Sequence, residues 1–354
     1  MSEQQKEQVN LESILAYTIK TGSSDIHVAE GDYFGFRLHG HLSKMTTGPK
    51  LSREMTLDLV NQLFKGDQKL IDNFFERRDA DFAYVSKDGT PFRVNGFHKL
   101  GKIGFVMRRI EREAKNMDDL GLPKGVEKVL PAKQGLFLIT GPTGSGKSTT
   151  MVAIIDRINE TRSEHVITIE DPIEFIFKDK QCIFSQREVG RDTNSFVTAI
   201  RAAMREDPDI VMVGEMRDTE TVEAALNLAE TGHLVFSTLH TSGSVSTINR
   251  LVQFFSPDIQ SQVRVRLGDS LLGVLSQRLV PRMDTGGRVA IHELMYVTSG
   301  IKNLIKSGDL VQINNNIEVG TQEGMLSMKK SIFNLIEQGI ISPEDAAGYF
   351  VNDD

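Results

Sequence analysis

Residues 136–140 read Leu-Phe-Leu-Ile-Thr and run directly into Gly141-Pro-Thr-Gly-Ser-Gly-Lys-Ser-Thr149, and the helical spacing continues through Ile158. A glycine-rich turn held between a buried strand and a helix leaves few folds open. The string matches G-x-x-x-x-G-K-[ST], in which glycines let backbone N–H groups turn inward around phosphates at a helix N-terminus. Thr143, Gly144, Ser145, Gly146, Lys147, Ser148 and Thr149 are therefore the expected phosphate-binding set. Lys147 is expected to reach the β- and γ-phosphates, and Ser148 to ligate Mg²⁺. By average residue usage the string arises by chance in roughly 1% of chains of this length, so a decorative turn is a poor alternative.

Around this turn the pattern alternates. Leu136–Thr140, Val166–Ile169, Ile210–Val213 and Leu234–Thr238 are short and almost wholly apolar, as strands buried on both faces must be. Helices between them predict an α/β core over residues 131–298, a parallel sheet with helices on both faces. Before it, residues 1–112 read as a smaller α+β domain. A helix is expected over 11–20, strands over 25–28 and 33–38, helices over 54–64 and 68–75, and strands over 80–86, 92–98 and 103–110. Glu111–Asn116 is charged and nearly devoid of apolar side chains, and residues 113–130 are expected to link the two domains. Residues 299–354 read as helical, with Ile332, Leu335 and Ile336 on one core stripe.

Acids and histidines gather at the ends of the core strands, the edge where α/β sheets bind ligands. Ile210-Val-Met-Val-Gly-Glu-Met-Arg-Asp218 ends a strand in Glu215, a candidate to position the attacking water. Gly214 stands where many phosphate-loop enzymes carry a magnesium-holding aspartate. Thr168-Ile-Glu-Asp-Pro-Ile-Glu174 adds Glu170, Asp171 and Glu174 as candidates to hold Mg²⁺-bound waters or orient the lytic one. Solvated acids on an Asp-Pro turn are the plain alternative. His233 and His240 bracket the strand at 234–238 and are candidate γ-phosphate sensors, acting as neutral imidazoles. The other histidines (His27, His39, His41, His98, His165 and His292) read as structural hydrogen-bonders.

These motifs, in this order, resemble the secretion-superfamily ATPases that drive type II secretion, type IV secretion and type IV pili. GPTGSGKST is similar to their Walker A, TIEDPIE to their Asp box, VGEMRD to their atypical Walker B and TGHLVFSTLHT to their His box. Within that group the chain resembles the retraction ATPases of type IV pili over most of its length, from Gly22-Ser-Ser-Asp-Ile-His-Val28 through Ser185-Gln-Arg-Glu-Val189 and Arg205-Glu-Asp-Pro-Asp209 to Glu323-Gly-Met325. The resemblance implies a PAS-like N-terminal domain before a RecA-like core, a ring-shaped homohexamer, and ATP as the nucleotide, a choice that no base-reading motif makes on its own. It implies that Arg93 and Arg108 complete a neighbour's site as arginine fingers, although solvated strand arginines would look the same. It also implies an inner-membrane pilus platform protein as partner, with pilin engaged indirectly. One departure stands out: Gly300-Ile-Lys-Asn-Leu-Ile-Lys-Ser307 replaces the family's AIRNLIRE, so Lys302 and Lys306 lose the bidentate guanidinium fork.

Composition narrows the remaining choices. A formal net charge of −7 argues against nucleic acid as a partner, and so against a DNA translocase. The single cysteine, Cys182, excludes an internal disulfide and the four-cysteine zinc insertion of the assembly ATPases. No run of 18 apolar residues occurs and the N-terminus is polar, so the expectation is a cytoplasmic protein at the inner face of the membrane, with no span of its own. A related secretion ATPase or an accessory pilus ATPase shares the same engine and is the alternative. The accessory enzymes resemble GEVRS more than GEMRD at residues 214–218. A monomeric small-molecule kinase would need an arginine-rich lid that no segment supplies.

Overall fold

The computed structural model describes residues 9–38, 41–110 and 113–350; His39, the first eight residues and two linker residues, Glu111 and Arg112, lie outside them. The chain divides into two compact units. One comprises Met1–Glu113 with Asp171–Ile176, the other Ala114–Glu170 with Phe177–Asp354.

The first unit contains α1 (Leu11–Thr21), β1 (Asp25–Ala29), β2 (Gly35–Leu38), β3 (His41–Lys44), α2 (Arg53–Leu63), α3 (Gln68–Arg77), β4 (Asp79–Val85), β5 (Pro91–Lys99) and β6 (Lys102–Arg109). Asn10 caps α1 by accepting from the Ser13 amide, and Ser52 and Asp67 cap α2 and α3 in the same way. Each such cap is worth about 1 kcal/mol. The strands form one antiparallel sheet in the order β3-β2-β1-β6-β5-β4. Alternation along the pleat sorts its faces. Ile26, Val28, Phe92, Val94, Phe105 and Met107 pack with Leu15, Leu59, Val60 and Phe74 of the helices. The intervening residues put Arg37, Asp25, Arg108 and Arg93, successive register partners, in one row across the other face. This is the PAS-like α+β domain that the sequence leads one to expect.

The second unit runs β7 (Gly135–Thr140), α4 (Lys147–Thr161), β8 (His165–Glu170), β9 (Ile183–Glu188), α5 (Phe196–Ala203), β10 (Ile210–Val213), α6 (Thr219–Glu230), β11 (Leu234–Leu239), α7 (Ser244–Gln253), α8 (Gln260–Ser270), β12 (Leu271–Pro281), β13 (Arg288–Tyr296), α9 (Ser299–Ser307), α10 (Gln312–Val319), α11 (Met328–Glu337) and α12 (Pro343–Phe350). Its sheet has the order β13-β12-β7-β11-β10-β8-β9, parallel except for the edge strand β13. Leu136 and Leu138 share a core with α5 and α6, while α4 also packs on β7 and buries Ile154, Ile155 and Ile158. This is the RecA-like core.

Four strands were not legible as strands in the sequence. β3 is exposed at all four residues, β9 is a polar edge, and Ser276-Gln-Arg278 interrupts the apolar run of β12, which in turn hides its partner β13. Residues 124–129, inside the stretch expected to be a linker, form a 3₁₀ turn that buries Val126 and Val129. At the C-terminus Ile332 is buried with Val280 and Ile291, and Leu335 and Ile336 pack against them. Lys302 and Lys306 sit one turn apart on α9 and both reach Asp269 of α8, at 2.6 and 2.8 Å. The carboxylate contact is thus made by two point charges in place of a guanidinium fork.

Candidate active site

The start of α4 differs from those of α5, α6 and α9. Ser195, Asp218 and Thr298 each lend a side-chain oxygen to the first turn of α5, α6 and α9. Gly146, at φ 87°, precedes α4 without a side-chain cap and with no acid in the first turn. Its amides and the positive end of the helix dipole are left for an anion. Thr143, Gly144, Ser148 and Thr149 line the exposed side of the turn, while Ser145 and Lys147 are buried. Lys147 Nζ donates to the carbonyls of Gly141 at 2.8 Å and Pro142 at 3.0 Å, so the ammonium is held within the loop that frames the phosphate position.

β10 and β11 deliver the next groups to the same edge. Glu215 follows the four buried residues of β10, and His240 follows β11. His240 Nε2 lies 3.4 Å from a carboxylate oxygen of Glu215, and the other oxygen pairs with Arg217. Nδ1 of the same ring lies 3.4 Å from Thr143 Oγ1 and 3.5 Å from Lys147 Nζ. An ammonium only donates, so Nδ1 is the acceptor and Nε2 carries the proton toward Glu215. Gly214 allows the close approach of β10 to β8 here. Its amide donates to the Ile169 carbonyl at 2.8 Å, and a Cβ on it would stand 3.3 Å from that oxygen. Asp218 is not a site acid: it caps α6 through the Thr221 amide at 2.8 Å.

The acids after β8 divide between the units. Glu170 is buried in the second, where Thr168 Oγ1 and Gln186 Nε2 donate to Oε1 at 2.7 and 3.3 Å. Asp171 and Glu174 cluster with the first. There Glu174 accepts from Arg93 at 2.9 Å, and Asp81 accepts from the same guanidinium at 2.7 Å. Arg108 uses Nε to bind Asp25 at 2.7 Å, and 70% of its side chain is exposed. Burial alone would raise the Asp25 carboxyl; hydrogen bonds from Ser24 and Arg108 outweigh it and hold the group below the ordinary carboxylate value.

The sensor expectation for His233 does not hold within this chain. His233 precedes β11, at the end of the strand opposite to His240, and its Nδ1 bonds the Leu228 carbonyl at 3.0 Å at the end of α6. Crossing the strand takes roughly 20 Å. Residues with no motif of their own also shape the site. Thr238 Oγ1 donates to the Gly214 carbonyl at 2.7 Å, and Ser276 Oγ accepts from the Gly243 amide at 2.9 Å, anchoring the loop that carries His240. Gln277 of β12 donates to the Ser145 carbonyl at 2.6 Å. The one available signal was a Ser-Gln pair inside the apolar run 271–280, which a buried strand would not carry without partners.

The type II/IV secretion system protein family matches residues 2–347. The type IV pilus retraction ATPase PilT of Pseudomonas aeruginosa is 40% identical, over 96% of this chain and 97% of its own length. A twitching motility protein of Neisseria gonorrhoeae is 39% identical, over 94% of this chain and 91% of its own. A crystal structure of the pilus retraction motor PilT with bound ADP superposes with a TM-score of 0.88 at 42% identity, covering 96% of this chain and 97% of that one. Among the described residues no helix is long and apolar enough to cross a membrane. With a phosphate loop, a carboxylate and a histidine converging on one sheet edge, this chain belongs to the type II/IV secretion system protein family and is an ATP-hydrolysing enzyme of it.

Proposed function

We propose that this chain works as a homohexameric motor that hydrolyses ATP to retract type IV pili, pulling through an inner-membrane platform protein that returns pilin subunits to the bilayer. The observation that carries the reading is near full-length similarity to a retraction ATPase, joined to the Lys147–His240–Glu215 arrangement. The place of action would be the cytoplasmic face of the inner membrane.

The reaction is phosphoryl transfer to water. Lys147 exchanges its two loop carbonyls for the β- and γ-phosphates, and the uncapped amides of α4 hold the rest of the chain of phosphates. Glu215 orients the attacking water, and His240 links that carboxylate to the lysine, so the state of the γ-phosphate is felt at both ends of the ring. Among the described residues no cluster of three or more acids, histidines or cysteines stands ready to hold a metal alone. The Ser148 hydroxyl and the Glu170 carboxylate are hard oxygen donors of the kind that hold Mg²⁺ together with phosphates and water, directly or through a water. When bound, that ion offsets phosphate charge. Arg108, exposed on the polar sheet face, and Arg93 beside it would act on a neighbouring subunit's nucleotide, neutralising charge in the transition state.

The test is expression in a piliated bacterium that lacks its own retraction ATPase. The reading predicts that twitching returns with the wild-type chain and not with Glu215→Ala. Hydrolysis without twitching, together with rescue of a secretion defect, would assign the chain to the secretion ATPases.

A further inference from the structure

A loop that grips phosphate must have its amides aimed as well as present. In a trans peptide the C=O and N–H point in opposite directions, so fixing one aims the other. The Ser145 carbonyl faces β12, where it accepts from Gln277 Nε2 at 2.6 Å. The Gly146 N–H of the same peptide plane is thereby turned away from β12. Gln277 meets the loop at two further points. A Cβ on Gly141 would fall 2.2 Å from the Gln277 carbonyl oxygen, and a Cβ on Gly146 would fall 3.2 Å from its Nε2. These glycines at positive φ therefore seat the loop against one residue of β12 as well as bending it.

Gln277 is 1% exposed, and among the described residues its Oε1 has no hydrogen-bond partner. A buried amide with an unpaired oxygen lowers stability, and an apolar residue would suit the middle of β12 better. Among the described residues its side chain makes one hydrogen bond, to the Ser145 carbonyl. We propose that Gln277 is a positioning residue of the phosphate loop, fixing the Ser145–Gly146 peptide so that its N–H faces the nucleotide phosphates. The inference rests on the nucleotide-binding role of the loop. An amide aimed at a phosphate serves substrate and transition state alike, so its loss falls on binding rather than turnover.

The experiment measures ADP affinity by calorimetry, and KM and kcat for ATP, in the wild type, Gln277→Leu and Gln277→Glu. The leucine variant is expected to weaken ADP binding and raise KM by more than about fivefold while kcat changes less. In the glutamate variant the ionised carboxylate cannot donate to Ser145 but the protonated carboxyl can, and burial raises its pKa. Its ADP affinity is expected to fall short of wild type at pH 8 and to approach it at pH 6. An ADP affinity within about fivefold of wild type in a folded leucine variant overturns the proposal. Should that variant not fold, a pH-independent deficit or no deficit in Gln277→Glu overturns it equally. A wild type that binds no ADP would instead remove the nucleotide-binding reading on which it stands.

Discussion

His240 Nε2 stands 3.4 Å from the Glu215 carboxylate, and the opposite nitrogen of the same ring faces Lys147 Nζ at 3.5 Å. One imidazole therefore spans the residue proposed to hold the γ-phosphate and the residue proposed to hold the water. Replacing it should uncouple the two without emptying the site. His240→Ala is expected to lower kcat by about ten- to a hundredfold while KM for ATP moves less than about threefold. Steady-state kinetics decides the matter, and a change confined to KM would contradict it.

Gly214 predicts the opposite of what motif repair suggests. Installing the aspartate that other phosphate-loop enzymes carry brings a Cβ to 3.3 Å from the Ile169 carbonyl and 3.6 Å from the Glu170 Cα. The Ile169 carbonyl must then give by a few tenths of an ångström, at the strand end that carries Glu170. Gly214→Asp should cost about 1–3 kcal/mol of stability and reduce hydrolysis. A thermal melt and an activity assay test this; a variant as stable and more active than wild type would refute the crowding argument.

How much of this was readable beforehand follows from where the signals lie. The strand-loop-helix at 136–158 and the four apolar strands announce themselves because full burial on both faces permits little else. Lys147 and Glu215 could be placed because each adjoins such a strand. Gln277 could not, since its role depends on a register that sets β12 beside β7, and register is absent from a single sequence. His233 misled for a related reason: it flanks the same strand as His240, yet the two ends of a strand face opposite edges of the sheet. The row of Arg37, Asp25, Arg108 and Arg93 also appears only once four strands are paired.

Arg108 offers its guanidinium from an exposed position while Asp25 holds its Nε. If it completes a neighbour's site, defects in the two residues should complement. Arg108→Ala and Lys147→Ala are each expected to be nearly inactive alone, and mixing them should restore part of the activity, because some interfaces then carry both intact groups. Mixtures no more active than the sum of the two would place Arg108 outside the reaction.

His292 is fully buried, and burial alone lowers its pKa from 6.5 to about 4. Between those values the unfolded chain takes up a proton that the folded chain refuses, so stability falls as pH drops below about 6.5 and the loss is complete near 4. The full effect is about 3 kcal/mol. His292→Gln should flatten the decline in melting temperature between pH 6.5 and 5, a range above most carboxylate titration. An unchanged slope would show that His292 is not its source.

The proposed machine is a ring-forming ATPase whose water is handled by Glu215. The most direct measurement is steady-state ATP hydrolysis by the wild type and Glu215→Ala, with the mass of each determined by light scattering. Hexamers are expected in both, with a rate at least about tenfold lower in the variant. A monomer whose Glu215→Ala variant hydrolyses ATP at the wild-type rate would contradict it.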